Sequence, residues 1–438
     1  MKVFFDHTIM ALFPRFFYGW RMVAIGAAVR VLGGGFHLYG FTVFFLPLSQ
    51  DLGLTRAATS LAFSLARAEG ALEGPLAGYM LDRFGPRPVM LVGIFFSGVG
   101  YMLLSGVNSY LTFMLVYLGV ISLAFGAGFM HAPMIMANTW FIRRRALAMT
   151  LISASIGTGG ALLTPILSMT IQTWGWRLGA FVAGVGILAI GLPLASFVRR
   201  SPESMGLMPD GGLPGKPGNS AEPRAKDAEQ RRLEVEFTPA QAIRTPAFWM
   251  FIFATMFRVA GLATLIVHFI PIMVWKGLSE PRAAFLVGTL AFLSLPCHLL
   301  LGWLADYVNK PKLMGTSMLI GTATLFLVIF GEAEWHLWIF TVLFTTVESI
   351  FPVGWATVGD FFGRRNFGTI RGSMSFFYMW GAVAAPVAAG WIYDRDQTYE
   401  PMLWVIVLLF LMSAGLYALM VKPSPRNSSQ PLAAELSA

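Results

Sequence analysis

Six ionisable residues stand inside long apolar segments of the sequence, where an uncompensated charge is costly. They are Arg30, Glu73, His131, Arg258, His298 and Glu348. Counted along a helix from the nearest polar end of each segment, all six reach a depth of about 12–18 Å. In a hydrocarbon layer about 30 Å thick this depth is close to the midplane, where charged side chains pair or face a water-filled cavity. The pattern therefore predicts an internal polar site.

These residue types suit anion binding and proton transfer. A planar guanidinium recognises a carboxylate through two parallel hydrogen bonds, and a solvated histidine titrates near neutral pH. The predicted substrate-binding residues are Arg258, Arg30 and His131. The candidates for proton coupling are Glu348, Glu73, Glu69 and His298.

Three alternatives stay open for these residues. Arg30 can be held by Glu69 or Glu73 in a structural ion pair between neighbouring helices. Glu348 can pair with Arg258, so that substrate would compete for the guanidinium. Each intramembrane histidine is also suited to a hydrogen bond that bridges two helices.

The composition predicts an all-α membrane protein. Hydrophobic residues make up 56% of the 438 residues and charged residues 12%, whereas soluble domains carry about 25% charged residues. Apolar stretches long enough to span a bilayer recur along the whole chain, and the short alternating segments of a β-barrel are absent. The predicted spans lie near 18–46, 57–81, 88–106, 110–138, 146–172, 176–198, 247–275, 282–306, 311–331, 335–361, 367–392 and 401–421.

The basic residues indicate the orientation of these twelve spans. Most of the 31 Lys and Arg residues, including the "RRR" at 143–145, fall on the side that holds both termini. Because Lys/Arg-rich loops stay in the cytoplasm, both termini are predicted to be cytoplasmic. The net charge of +9 is then a topology signal, and no nucleic-acid partner is expected.

Several classes of function are disfavoured by missing motifs. The one cysteine, Cys297, excludes an intrachain disulfide and a multi-cysteine metal site. The sequence has neither the H-E-x-x-H pattern of a zinc protease nor the phosphate-binding loop of an ATPase. We therefore expect no catalytic residues, no metal and no cofactor, and predict that the protein is not an enzyme.

A polar segment divides the spans six and six, and the two halves repeat. The predicted units are an N-terminal segment 1–17, a six-helix bundle 18–198, a linker 199–246, a second bundle 247–421 and a tail 422–438. "FTVFFLPLSQDLG" (41–53) aligns with "LIVHFIPIMVWKG" (265–277), and "GYMLDRFGPRP" (78–88) aligns with "GWLADYVNKPK" (302–312) at the same offset. Such parallel repeats, with a site at their interface, are a transporter architecture.

One loop carries a family resemblance. Gly78, Asp82, Arg83, Gly85 and Arg87 match the G-x-x-x-D-R-x-G-x-R loop of the major facilitator superfamily. The "YGW" at 18–20, "DRFGPRPVMLVG" and "SPESMGLMPDG" are similar to its monocarboxylate and oxalate–formate branch. The resemblance implies two pseudo-symmetric bundles, with helices 1, 4, 7 and 10 around a central cavity.

The resemblance also implies a conformational latch between the halves. Its residues would be Asp82, Arg83 and Arg87, with Asp306 and Lys310 as a weaker copy. The sequence departs from the branch at the substrate site: Ser294 and His298 stand where monocarboxylate transporters carry Asp and Arg, and the segment 373–393 lacks the lysine of oxalate–formate exchangers. Carboxylate binding would then depend on Arg258 and Arg30.

The function expected from these features is secondary active transport by alternating access. The expected partners are a small organic anion, in particular a monocarboxylate, and protons moving in symport. The expected location is the plasma membrane (the inner membrane in a bacterium), where the chain works as a monomer in the lipid bilayer. Anion exchange, and proton-coupled export of a neutral or cationic compound, are the alternatives.

Overall fold

A computed structural model of the protein describes residues 17–54, 56–211 and 236–423. Within these ranges the chain consists of helices joined by short turns, without a strand. The N-terminal segment 1–17 and the tail 422–438 therefore fall largely outside the described residues, as does the middle of the linker 199–246.

The first group of helices runs from α1 to α6. α1 covers residues 18–51 and includes a π turn at Gly34–Leu38. The next three helices are α2 (Arg56–Phe84), α3 (Pro86–Leu104) and α4 (Tyr110–Trp140). α5 (145–174) and α6 (176–196) are one helical stretch divided at Gly175, whose φ is 84°. Glycine adopts this left-handed conformation without a side-chain clash, so the chain turns there.

The second group runs from α7 to α12. α7 joins Pro246–Val267 to Phe269–Trp275. The other helices are α8 (Glu280–Ala305), α9 (Lys310–Phe330), α10 (Glu334–Phe362), α11 (Phe367–Asp396) and α12 (Glu400–Ala418). Nine helical stretches of the described chain are long and apolar enough to cross a membrane. The count of twelve crossings stays a prediction.

Large apolar side chains cover much of the outside of the bundle. Phe292 is 78% exposed, Val387 73% and Leu76 62%. A water-soluble protein would bury most such surface, whereas lipid accommodates it. The charged residues discussed below lie inside, so the distribution is that of a protein with the bilayer as its solvent.

The most extensive packing between the first group and the second is that of α2 along α11 and of α5 against α8, and α5 also packs against α10. In the α2–α11 pair, a Cβ added to Gly78 would overlap the carbonyl oxygen of Gly368, and one added to Gly372 would overlap that of Gly74. The backbones therefore meet directly, as small residues allow in membrane helices. The end of the bundle where these contacts lie is the predicted cytoplasmic side, and we call it the cytoplasmic end.

Candidate functional site

Arg258 lies in the middle of α7 and is 2% exposed. Its guanidinium donates a hydrogen bond from Nη1 to the carbonyl of Val347 in α10, at 3.3 Å. The Tyr417 hydroxyl of α12 is also within hydrogen-bonding reach, while Nε has no partner. Arg258 is therefore held in place by neutral groups and keeps hydrogen-bonding capacity for an anion.

Glu348 does not pair with Arg258, although it follows the residue whose carbonyl Arg258 contacts. Its Oε2 lies 3.9 Å from Nδ1 of His298 and accepts a hydrogen bond from the Ser349 hydroxyl at 3.1 Å. His298 donates from Nδ1 to the Ser294 carbonyl at 2.8 Å, because a carbonyl can only accept. The Glu348 side chain is 31% exposed, so this acid and histidine form a partly exposed pair.

Arg30 is 1% exposed in α1. Its Nη2 donates to the carbonyl of Met130 at 2.9 Å, and its Nε has no partner. In the part of the chain that the structure describes, Arg30 forms no ion pair with Glu69 or Glu73. The structural pairing that the sequence left open is therefore not found, and α4 holds Arg30 through its main chain.

Glu73 and Glu69 face α4 instead. The Glu73 carboxylate packs directly over Gly126, within the π turn Gly126–His131. One Glu73 oxygen has no hydrogen-bond partner, and the side chain lines an apolar cavity of about 520 Å³ between α2, α3 and α4. Glu69 lies within reach of the Ser122 hydroxyl. These two acids thus stand apart from the Arg258 and Glu348 group.

His131 connects the two groups of helices. It ends the second π turn of α4, is half-buried, and its ring lies 5.9 Å from the ring of Trp355 in α10. π turns in helices often accompany functional sites because they displace a side chain from the regular helical register. Here the turn brings His131 to the interface of α4 and α10.

Arg371 is the functional candidate that the sequence pattern missed. It lies near the start of α11, so from the sequence it counts among the basic residues of the cytoplasmic side. The structure buries it to 3% exposure, with its guanidinium carbon 4.3 Å from the centre of the Trp355 ring and 4.8 Å from that of Tyr378. Its Nε and Nη1 have no partner. The helical spacing to Gly368 and Ser375 could have revealed this inner face.

Asp82 and Asp306 occupy equivalent places at the cytoplasmic end. Asp82 accepts hydrogen bonds from the backbone amides of Gly368 and Thr369 at 2.9 and 2.7 Å, at the N-terminus of α11. Asp306 accepts from the amides of Ala146 and Leu147 at 3.0 and 3.1 Å, at the N-terminus of α5. Each carboxylate thus crosses from one group of helices to the other and satisfies unpaired helix amides.

The basic residues predicted for the latch are arranged differently. Arg83 is exposed and donates to the Tyr79 hydroxyl within its own helix at 2.7 Å. Arg87 is half-buried at the start of α3. Lys310 pairs with Asp360 at 2.7 Å, and Arg145 pairs with the same carboxylate at 2.6 Å. Asp360 therefore takes two cations, of which Arg145 comes from the other group of helices.

Burial raises the pKa of the Asp306 carboxyl from its ordinary 3.8 to about 6. The amide hydrogen bonds and the charge of Lys310 oppose this shift, and the charge of Asp360 adds to it. Among the described residues, no group of three or more His, Cys, Asp or Glu side chains could hold a metal ion.

Comparison with known proteins decides the family. The family model described as "Major Facilitator Superfamily" matches residues 23–346 and 269–437. The chain belongs to the major facilitator superfamily. The resemblance seen in the sequence is thereby confirmed, as are the superfamily fold and the prediction of a multi-pass membrane transporter rather than an enzyme.

Among curated relatives of this superfamily member, "Monocarboxylate transporter 12-B" of Danio rerio is 24% identical over 404 residues, covering 87% of this chain and 82% of that protein. "Oxalate:formate antiporter" of Oxalobacter formigenes is 25% identical over 352 residues, covering 79% and 77%. The solved Escherichia coli fucose:proton symporter FucP shares the fold, with a TM-score of 0.68 at 14% identity, covering 92% of this chain and 98% of that one. Two of these relatives are a monocarboxylate transporter and an oxalate:formate antiporter, to which the chain is similar over most of its length.

Proposed function

We propose that the protein carries a small monocarboxylate across the membrane together with a proton, by alternating access. The observation that carries this proposal is Arg258, a guanidinium near mid-membrane that neutral groups hold and that has unused hydrogen-bonding capacity. A buried cation of this kind favours an anionic ligand, because the ligand supplies the charge and the acceptors that the protein omits. The names of the curated relatives support a carboxylate.

Proton coupling rests on the position of Glu348. It directly follows Val347, whose carbonyl accepts a hydrogen bond from Arg258, and its partly exposed side chain faces His298. A substrate carboxylate bound to Arg258 would repel the charged form of Glu348 and so favour its protonation. The same interaction strengthens substrate binding when Glu348 is protonated, since coupling between two sites is reciprocal.

The remaining candidates take supporting places in this proposal. Arg30 and His131 line the α1 and α4 side of the same central region and complete the anion site. Glu73 and Glu69 are the second choice as proton carriers, because they lie farther from Arg258. The bundles 18–198 and 247–421 would rock against each other, with both termini cytoplasmic and one chain as the working unit. Asp82 and Asp306, with Arg83 and Arg87 beside them, would control the closing at the cytoplasmic end.

The test is uptake into membrane vesicles. Labelled formate, acetate, lactate and pyruvate would be offered with an inward proton gradient, beside oxalate, a neutral sugar and a lipophilic cation. We expect accumulation of at least one monocarboxylate that collapses when a protonophore removes the gradient. Transport that requires a counter-anion would point to exchange, and selective transport of the cation or the sugar would overturn the proposal.

A further inference from the structure

Arg371 is a buried cation to which the proposed function assigns no role. Trp355 and Tyr378 contact its guanidinium, at 4.3 and 4.8 Å from their ring centres. Such contacts hold a cation through the negative faces of the rings. The Tyr378 hydroxyl is also within hydrogen-bonding reach of the guanidinium. Nε and Nη1 lack hydrogen-bond partners, so donors on both sides of the guanidinium plane's outline remain free for a ligand.

The other cations at the cytoplasmic interface differ from Arg371. Arg145 and Lys310 both pair with Asp360, at 2.6 and 2.7 Å. In the described part of the chain, Arg371 has no carboxylate partner. A cation that is fully enclosed without an acid is costly to keep, and its free donors match a carboxylate brought in from outside.

Arg371 also lies on the way from Arg258 to the cytoplasm. Along their helices, Arg258 is about 18 Å and Arg371 about 6 Å from the cytoplasmic start. The charges of the two guanidiniums interact, and Tyr378 and Tyr417 lie beside them. Next to Arg371, Gly372 meets Gly74 of α2, so separation of α2 from α11 would uncover this part of α11.

We propose that Arg371 is a second anion-binding station, which holds the substrate carboxylate on the cytoplasmic side of Arg258. This inference rests on the proposed function, since it concerns the same substrate. In the closed arrangement α2 covers the station. When the cytoplasmic end opens, Arg371 binds the carboxylate as it leaves Arg258, or receives it first when substrate enters from the cytoplasm.

The experiment measures KM separately on each side of the membrane, in inside-out and right-side-out vesicles. Loss of a station that exists only on the cytoplasmic side weakens cytoplasmic binding. Arg371→Gln should therefore raise the ratio of cytoplasmic to external KM about tenfold, the effect expected for a lost charge-assisted hydrogen bond. Arg371→Lys keeps the positive charge but lacks the planar, two-pronged donor group, so it should raise the KM ratio less than Arg371→Gln.

Arg145→Gln is the matched control, because it removes a buried interface arginine that has an acid partner. Loss of the Arg145–Asp360 ion pair weakens the contact between the two groups of helices at the cytoplasmic end. Arg145→Gln should therefore favour the inward-open state and lower the ratio of cytoplasmic to external KM. If Arg371 merely stabilises the interface, Arg371→Gln will also lower the ratio, and that result or an unchanged ratio would overturn the inference. Absence of carboxylate transport by the unmodified protein would instead remove the proposed function.

Discussion

Arg258 and Glu348 lie close in space but have different partners. Arg258 donates a hydrogen bond to the Val347 carbonyl, and Glu348 faces His298. Arg258→Lys should raise KM about tenfold or more, because a point charge replaces the two-pronged donor while the positive charge remains. Transport kinetics in vesicles, with membrane expression measured in parallel, tests this. Arg282→Lys, at an exposed ion pair with Glu334, is the control. Unchanged KM in Arg258→Lys would remove Arg258 from the site.

Glu348→Gln should abolish accumulation driven by a proton gradient. The amide keeps the size and the hydrogen bond from Ser349 but cannot take up a proton. Exchange of internal for external substrate should continue, because that process needs no net proton movement. Glu334→Gln, in the same helix at the exposed end of α10, should accumulate substrate normally. Continued accumulation by Glu348→Gln would transfer the role to Glu73 or Glu69.

The sequence predicts that most site residues lie inside the bundle, as Arg30 and Arg258 do, but their partners could not be predicted. Helical rise predicts a mid-membrane depth for Arg258 and Glu348 from their distance to polar ends. Whether Arg30 meets Glu73 or a carbonyl depends on how α1, α2 and α4 are rotated, and no spacing rule specifies this. Arg371 was missed for a related reason: a basic residue next to a basic loop is normally solvated, and only packing against Trp355 and Tyr378 buries it.

At the scale of helices, the contact of α2 with α11 is the feature most sensitive to a small change. Gly78→Ala would place a methyl group against the Gly368 carbonyl, and only separation of the two helices relieves that overlap. We therefore expect a shift toward the inward-open state, seen as faster labelling of a cysteine introduced at the cytoplasmic end of a Cys297→Ser background.

Gly70 provides the matched control for this variant. It lies on the same helix two turns away, but a Cβ added there meets nothing within 4 Å. Gly70→Ala should therefore leave the labelling rate unchanged. Equal rates in both variants would mean that α2 and α11 are not held this closely in the membrane.

Helix positions were more predictable than helix details. The predicted span 88–106 nearly coincides with α3, Pro86–Leu104, because apolar length and a proline at the start define it. The two π turns of α4 were not foreseen. One of them carries the contact of Glu73 with Gly126, and neither leaves a periodic signal in the sequence.

At the scale of the whole molecule, the closed cytoplasmic end should respond to pH through Asp306. Its pKa is about 6 in the closed arrangement, where Lys310 and Asp360 are the nearby charges, and would return toward 3.8 once water reaches it. A group with the higher pKa in the closed state binds protons more tightly there. Lowering the pH from 7 toward 4 should therefore stabilise the closed state relative to the open state. Raising the pH through about 6 should remove this stabilisation.

The measurement is cysteine labelling at the cytoplasmic end across this pH range, with unmodified Asp306 and with Asp306→Asn. The labelling chemistry would be normalised with a permanently exposed cysteine. Asp306→Asn should show a weaker pH dependence of closure, because the titrating group is gone. An identical pH profile in both proteins would show that Asp306 does not contribute.

The carboxylate contacts of Asp82 and Asp306 have a consequence for turnover. A carrier must visit two end states in every cycle, so neither state can be a deep energy minimum. When the cytoplasmic end opens, water replaces the amide partners of both carboxylates, so each bond contributes only a net difference of about 1.5–3 kcal/mol. Burial disfavours the charged form of Asp306 in the closed state and raises its pKa, which offsets part of this stabilisation. The closure is thus specific in geometry and remains reversible. A purely apolar interface of the same area would be harder to separate, because opening would expose it to water. The carrier would then return more slowly to the inward-open state.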